Sequence, residues 1–123
     1  SEDMKLKVGI ASPAEMKART LAIARGELKP RQTDPKVWFN SIESFSKVLS
    51  KRNRELLAII AQNKPQSFSE LGMLSGRATS NLSRTLHKME RYGLIELKKG
   101  DRGSIIPRAK YNKVELAIDL TAG

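Results

Sequence analysis

The chain has 123 residues, no cysteine, and 23 basic against 13 acidic side chains, which gives a net charge of +10. This length fits one small domain, and the lack of cysteine excludes disulfides and thiolate metal sites. No apolar run is long enough for a membrane helix or a signal peptide, so we expect a cytoplasmic protein. The positive charge favours a polyanion as partner, either a nucleic acid or an anionic membrane surface.

The N-terminal segment begins with an alternating pattern. Residues 4–10 alternate apolar and basic side chains and predict a strand with one buried face. Ser12-Pro13-Ala14-Glu15 then predicts a capping box and a helix from Pro13 to about Arg25. Three of its apolar side chains are expected to face inward: Met16, Leu21 and Ile23. Residues 27–36 contain two prolines and predict a linker.

Two more helices are predicted in the next third of the chain. Residues 37–39 are a short extended apolar piece, whose aromatic pair can stack on bases or pack in a core or dimer contact. A capping box over Asn40–Glu43 opens a helix over about 41–49. Ser50 can cap the following helix, about 51–63.

A short helix over 68–75, a turn at Gly76 and a longer helix over 79–92 form the informative segment. The short helix is expected to bury Leu71 and Leu74. The longer helix is expected to bury Leu82, Leu86 and Met89, because they are spaced by four and three residues and so lie on one side of the helix. This order of elements is typical of a helix-turn-helix.

Strands are predicted after the second helix. Residues 94–97 and a strand that starts at 104 flank a glycine-containing turn, so they predict a hairpin. Residues 114–120 alternate and predict a last strand, with its inward side chains being Val114, Leu116, Ile118 and Leu120. Because this pattern mirrors residues 4–10, we expect the two terminal strands to pair, within one chain or between two.

Polar and basic side chains on and beside the second helix are the candidate DNA contacts. On the helix and the turn before it they are Arg77, Thr79, Ser80, Asn81, Ser83, Arg84, His87 and Lys88. At the hairpin tip they are Lys98, Lys99 and Arg102. A major groove about 12 Å wide admits one helix, and Asn and Arg can read adenine and guanine. Residues 77–110 hold nine basic and three acidic side chains, which strengthens this prediction.

Single residues in this set have simpler alternatives. Arg84 can read a guanine, hold a phosphate or pair with a nearby acid. His87, the one histidine, can contact phosphate, sense pH or be merely solvated. Gly100-x-x-Gly103 is similar to the loop that clamps RNA in KH domains, but it joins predicted strands rather than helices, which favours a hairpin turn.

Three segments resemble the winged helix-turn-helix regulators of the MarR and ArsR type. They are Phe68-Ser69-Glu70-Leu71, Ser80-Asn81-Leu82-Ser83-Arg84 and Met89-Glu90-Arg91-Tyr92-Gly93-Leu94-Ile95. Two positions depart from the family pattern, since Gly72 stands where alanine is usual and Leu82 where valine is usual. The resemblance covers about residues 55–110 and implies that the hairpin is a wing beside a recognition helix.

A broader likeness spans nearly the whole chain. Ser12–Met16, Phe39–Phe45 and the segment from Pro107 to Leu120 resemble short archaeal and bacterial DNA-binding proteins of MarR-like type. Some of these relatives look like antitoxins that also repress their own promoter. The likeness therefore implies a DNA-binding regulator, with an antitoxin as the alternative.

The sequence as a whole predicts an α+β winged helix-turn-helix with an added N-terminal strand and helix and a C-terminal strand. The expected divisions are 1–36 as a packing or dimerisation arm, 37–110 as the DNA-binding domain, and 111–123 as the last strand. We expect a homodimeric repressor of transcription on double-stranded DNA. The alternative partners are a cognate toxin and structured RNA, and no catalytic, cofactor or metal site is predicted.

Overall fold

The computed structural model describes residues 4–121, which contain both helices and strands, so the expected α+β class is confirmed. The helices are α1 (Pro13–Ala24), α2 (Ile42–Val48), α3 (Lys51–Asn63), α4 (Phe68–Ser75) and α5 (Thr79–Arg91). The strands are β1 (Lys5–Ile10), β2 (Val37–Phe39), β3 (Ile95–Lys99), β4 (Ile105–Ala109) and β5 (Lys113–Ala117). None of the helices within residues 4–121 is long and apolar enough to cross a membrane.

The chain divides into two compact units. The helical unit comprises residues 48–113 together with Met4, and the sheet unit comprises residues 5–47 and 114–121. The helical unit therefore holds α3, α4, α5 and the β3–β4 hairpin. The sheet unit holds β1, α1, β2, most of α2 and most of β5.

The sheet unit is built on a three-stranded sheet in the order β2-β1-β5. β1 and β2 run parallel, with Val8 opposite Val37 and Ile10 opposite Phe39, and α1 is the crossover between them. The predicted pairing of the terminal strands is confirmed, and it occurs within one chain. Val8 and Phe39 are fully buried, and the ring of Phe45 meets Phe39 edge-on with 5.3 Å between centroids.

Helix α1 begins as predicted but does not bury the side chains expected of it. Ser12 caps the helix and forms the full capping box with Glu15. However, α1 has no buried residue, and Leu21 and Ile23 are 42% and 36% exposed. The inward orientation predicted for these side chains is therefore wrong, and Met16 is only half-buried.

Helix α1 contacts Trp38 through Arg19 rather than through these aliphatic side chains. The Arg19 guanidinium carbon lies 5.3 Å from the centre of the Trp38 ring, and Arg19 also bonds to Asp34 at 3.1 Å. The indole itself lies directly against Gly9, where an added Cβ would come within 2.5 Å of the ring. An arginine guanidinium and an indole thus form a contact that the spacing of aliphatic residues along the sequence does not predict.

Two further predictions in the sheet unit are corrected. The hydroxyl oxygen of Ser41 accepts from the Ser44 backbone N–H at 3.0 Å, so the cap of α2 lies one residue later than the predicted Asn40. The side chains expected to face inward along the last strand are instead exposed, by 36% at Val114, 37% at Leu116, 45% at Ile118 and 92% at Leu120. Val114 and Leu116 lie on β5, whereas Ile118 and Leu120 lie beyond its last residue, Ala117.

The helical unit has the larger set of buried aliphatic side chains. Those below 5% exposure are Val48, Leu56, Ile60, Leu71, Leu82, Leu86, Met89, Leu94 and Ile95. Ser50 and Ser67 cap α3 and α4, and β3 pairs with β4 in an antiparallel hairpin as predicted. Leu74 is 44% exposed, contrary to prediction, because it lies in the last turn of α4, where Gly76 with a φ of +73° turns the chain away.

Candidate nucleic-acid interface

Helix α5 has one buried and one exposed side. Leu82, Leu86 and Met89 are at most 1% exposed and hold the helix against the rest of the helical unit. Arg84 lies two residues after Leu82, and Lys88 lies two after Leu86, which places each about 200° around the helix from the buried side chain. The exposed strip consists of Ser80, Arg84, Lys88 and Arg91. Arg91 was not singled out from the sequence, although its spacing of seven from Arg84 is the signal that places it on this strip.

The first turn of α5 differs from the capped helices of this chain. Its N-cap residue, Ala78, makes no side-chain hydrogen bond to the helix, whereas Ser50 and Ser67 cap α3 and α4. Thr79 and Ser80 follow and are exposed. The first backbone N–H groups of a helix lack partners within it and carry partial positive charge. This end of α5 is therefore suited to meet an anionic group such as a phosphate.

Arg77 connects α5 to α3. Its Nε and Nη2 atoms donate to Oδ1 of Asn81 at 2.9 and 2.7 Å. Nη1 donates to Oδ1 of Asn53 at 3.1 Å, and Nη2 also donates to the Thr85 hydroxyl at 3.2 Å. Burial lowers the pKa of Arg77, and repulsion from Arg52 adds to the shift. Arg77 was expected among the DNA contacts, and the structure gives most of its donors to neighbouring side chains.

Asn81 is exposed, but one half of its amide is engaged. Two donors of Arg77 point at its Oδ1 atom, which has two acceptor sites. A bidentate contact with adenine needs both this oxygen and the amide nitrogen. While Arg77 donates to Oδ1, the amide nitrogen Nδ2 is the atom of this side chain that Asn81 can present to a base. The side chain of Arg84 makes no hydrogen bond or ion pair within residues 4–121, so its planar fork of donors is available to a ligand.

Ser83 and His87 lie on the flank of the exposed strip. Both are half-buried. Nδ1 of His87 lies 2.7 Å from the Ser83 carbonyl oxygen, and since a carbonyl only accepts, this nitrogen carries the proton. The imidazole also meets the ring of Phe68 edge-on, at 6.2 Å between centroids. His87 is thus oriented by its own helix, with Nε2 as the nitrogen left for an outside partner.

The β3–β4 hairpin carries the other basic candidates. Lys98 and Lys99 pair with Ile106 and Ile105, and Arg102 lies in the tip, in the left-handed region with a φ of 57°. All three basic side chains are exposed. The Nζ atom of Lys98 lies 3.9 Å from Glu96, and an ion pair this exposed contributes little.

The structure places every sequence-predicted site residue in the helical unit. Residues 48–113 carry fourteen basic and five acidic side chains, a net charge of +9, whereas residues 5–47 and 114–121 together carry +3. Of the predicted contacts, Arg77, Ser83 and His87 are half-buried and the others are exposed. Their contact with DNA stays a prediction.

Comparison with known proteins gives a family match and a distant structural likeness. A family model described as HVO_A0114 matches residues 48–116, which include nearly the whole helical unit. No curated protein matches the chain. One similar solved structure is described as the predicted DNA-binding transcriptional regulator from E. coli, with 22% identity and a TM-score of 0.46. The likeness covers 77% of this chain and 84% of that one.

Proposed function

The chain belongs to the HVO_A0114 family, and we propose that it is a sequence-specific regulator of transcription that binds double-stranded DNA. The observation that carries this proposal is the exposed strip of α5. Arg84 and Lys88 lie on the side opposite the buried leucines, within a unit of net charge +9. The order α3, α4, α5 and hairpin supports a winged helix-turn-helix.

In the proposed complex, α5 enters a major groove. The short side chains of Thr79 and Ser80 permit close approach, and the first turn of the helix meets a phosphate. Arg84 has the donors that read a guanine. Arg77 holds Asn81 and so fixes the start of the recognition helix, while Asn81 donates through Nδ2.

The hairpin supplies contacts that do not depend on sequence. Lys98, Lys99 and Arg102 reach phosphates or the minor groove beside the site of α5. Each phosphate contact releases a counterion, so replacing Lys99 or Arg102 with alanine is expected to lower the salt dependence of binding by about one ion. The same substitutions weaken binding to specific and random DNA alike.

The proposed regulator is a homodimer that represses by occupying a promoter. A two-fold axis places two α5 helices about 34–36 Å apart, one turn of DNA, on a palindromic site. Under this proposal the chain is a binding protein and not an enzyme. The sheet unit is then available to join the two copies.

The test is fluorescence anisotropy with DNA from upstream of the gene for this protein, compared with a scrambled duplex at two salt concentrations. A sequence-specific regulator binds the native fragment more tightly by a factor on the order of 10³. Equal and steeply salt-sensitive binding to both duplexes contradicts the proposal. Competition with structured RNA separates DNA binding from RNA binding through the same basic surface.

An antitoxin is the second candidate function. The observation that favours it is the aliphatic surface of the sheet unit, where Leu21 and Leu28 are 42% and 37% exposed. A cognate toxin is expected to cover such a surface, and the pair then represses its own operon. The test is co-expression with the product of the neighbouring gene, followed by purification of a complex of fixed stoichiometry.

A further inference from the structure

Strand β5 is an edge of the three-stranded sheet. The order β2-β1-β5 gives β5 a neighbour on one side within residues 4–121. Val114, Leu116 and Ile118 are between 36% and 45% exposed. An edge strand presents a row of backbone N–H and C=O groups that can pair with another strand. The opposite edge, β2, is only three residues long and is a poorer template.

The sequence of β5 is complementary to itself in one antiparallel register. With a two-fold axis at Leu116, each leucine faces its copy, and Val114 faces Ile118. The same register places Lys113 opposite Asp119, so each dimer gains two pairs of opposite charge. Apolar side chains thus face each other on one side of the paired strands, and on the other side Lys113 faces Asp119 while Glu115 faces Ala117.

Neighbouring registers lack this match. An axis at Glu115 puts that carboxylate against its own copy, and an axis at Ala117 puts Glu115 against Asp119. Like charges directly opposite each other destabilise a sheet. An axis between two residues pairs the apolar positions of one copy with the charged positions of the other. Charge and alternation therefore select the axis at Leu116.

We propose that two copies of this chain dimerise by antiparallel pairing of β5 about a two-fold axis at Leu116. This inference rests on the proposed function, because it names the surface that joins the two copies of the DNA-binding dimer. Strand β5 ends at Ala117, so the pairing extends it by two residues to Asp119. Within one chain, Oδ1 of the Asp119 carboxylate accepts from the backbone N–H and the hydroxyl of Thr121 at 2.8 and 2.6 Å.

The experiment is sedimentation of two charge-reversal variants, Lys113→Asp and Asp119→Lys, alone and mixed. Each variant alone places like charges opposite each other twice and is expected to weaken dimerisation by about tenfold. An equimolar mixture places opposite charges at both pairs, so a heterodimer forms with affinity near that of the wild type. Lys29→Asp, an exposed change of the same charge outside β5, is the control and leaves dimerisation unchanged.

The mixture is decisive because the two positions cannot pair within one chain. Six residues of extended strand separate them by about 20 Å. A wild-type chain that sediments only as a 13.7 kDa monomer at about 100 µM overturns the inference, as does a mixture without preferred heterodimer. If the reversal variants do not fold, Leu116→Lys is used in their place, because it puts two ammonium groups opposite each other at the axis. A Leu116→Lys variant that remains fully dimeric overturns the inference.

DNA binding is measured separately on the same variants. A folded monomeric variant that still binds a half-site and a heterodimer that recovers the full site support both proposals. A dimer with the expected charge dependence that binds no DNA supports the β5 interface and contradicts the proposed function. Sequence-specific DNA binding by a dimer whose affinity is unchanged by the charge reversals supports the proposed function and contradicts the β5 interface.

Discussion

Helices α5 and α1 have nearly the same length, yet they meet the rest of the molecule in opposite ways. α5 has 13 residues and buries Leu82, Leu86 and Met89, while its exposed strip is basic. α1 has 12 residues and buries none, and its apolar Leu21 and Ile23 face solvent. Helix α5 therefore buries its apolar side chains within its own unit and exposes charged ones, whereas α1 exposes aliphatic side chains.

This contrast extends to the two units. The helical unit contains most of the buried aliphatic side chains and a net charge of +9. Most of the exposed large apolar side chains belong to the sheet unit. Under the proposed function, a polyanion binds the first surface and a protein covers the second. Substitutions in each unit test this division.

Leu82→Ala is expected to have the largest effect on stability. Leu82 is fully buried, and removing a buried leucine side chain costs about 2–5 kcal/mol. Leu74→Ala is the matched control, because Leu74 is 44% exposed and its loss is expected to cost less than about 1 kcal/mol. Urea unfolding followed by far-ultraviolet circular dichroism measures both. Equal losses would contradict the burial assigned to α4 and α5.

Gly9→Ala tests the sheet unit. The added Cβ would lie 2.5 and 2.6 Å from two carbons of the Trp38 ring and 2.9 Å from Pro35. The indole must shift, and overpacking of this kind costs about 1–3 kcal/mol. Fluorescence of Trp38, the one tryptophan, reports the unfolding of this unit.

The same substitution in a Trp38→Leu background is the control for Gly9→Ala. Circular dichroism is expected to show a smaller loss there, because the smaller side chain makes room for the Cβ. An unchanged loss would mean that the contact with the indole is not the cause. A fluorescence transition in the wild type that coincides with the circular dichroism transition would show that the two units unfold together.

The sequence predicts the elements of the helical unit more fully than the environment of the sheet unit. Spacing identifies the buried side of α5, and Gly93 marks its end with a φ of 77°. It does not identify Arg19, because a cation over an aromatic ring joins residues distant in sequence. Nor does it show that β5 lies at an edge with exposed side chains, since alternation alone says neither which strands are neighbours nor whether a second layer covers the strand.

The candidate site shows the same limit at a smaller scale. Composition and periodicity place Arg84 and Lys88 on an exposed side, where the structure has them. They do not reveal that Arg77 donates to Asn53, 24 residues earlier, and twice to Asn81. Side-chain networks between helices depend on packing angle and rotamer, which a linear pattern does not encode.

Arg84→Ala tests whether DNA binding belongs to the helical unit. A good contact to a guanine is worth about 1–3 kcal/mol, so the variant is expected to discriminate less between native and scrambled DNA. Arg25→Ala removes the same charge from an exposed position of the sheet unit and is expected to leave this discrimination unchanged. Anisotropy titrations at one salt concentration measure both. Equal losses would indicate that net charge, rather than α5, determines binding.

Ser12→Ala is expected to have the smallest effect, and its pH dependence identifies the capping box of α1. The Ser12 backbone N–H donates to Glu15 at 2.8 Å and, with the Ser12 hydroxyl, holds the pKa of Glu15 below its ordinary value of 4.5. A lowered carboxylate pKa stabilises the folded state above the unfolded-state pKa, and this contribution is lost as the pH falls through the lowered value. Removing the cap costs about 1 kcal/mol at neutral pH.

The variant is therefore expected to lose less stability on acidification below pH 4.5 than the wild type does, as measured by urea unfolding at successive pH values. Ser50→Ala is the matched control in the helical unit, because the Ser50 hydroxyl caps α3 by accepting from the backbone of Asn53, which has no carboxylate. It is expected to lose a similar cap contribution and to keep the acid dependence of the wild type. Identical pH profiles for the two variants would mean that the Ser12 hydroxyl does not contribute to the lowered pKa of Glu15, and that the backbone N–H of residue 12, which the variant keeps, accounts for it.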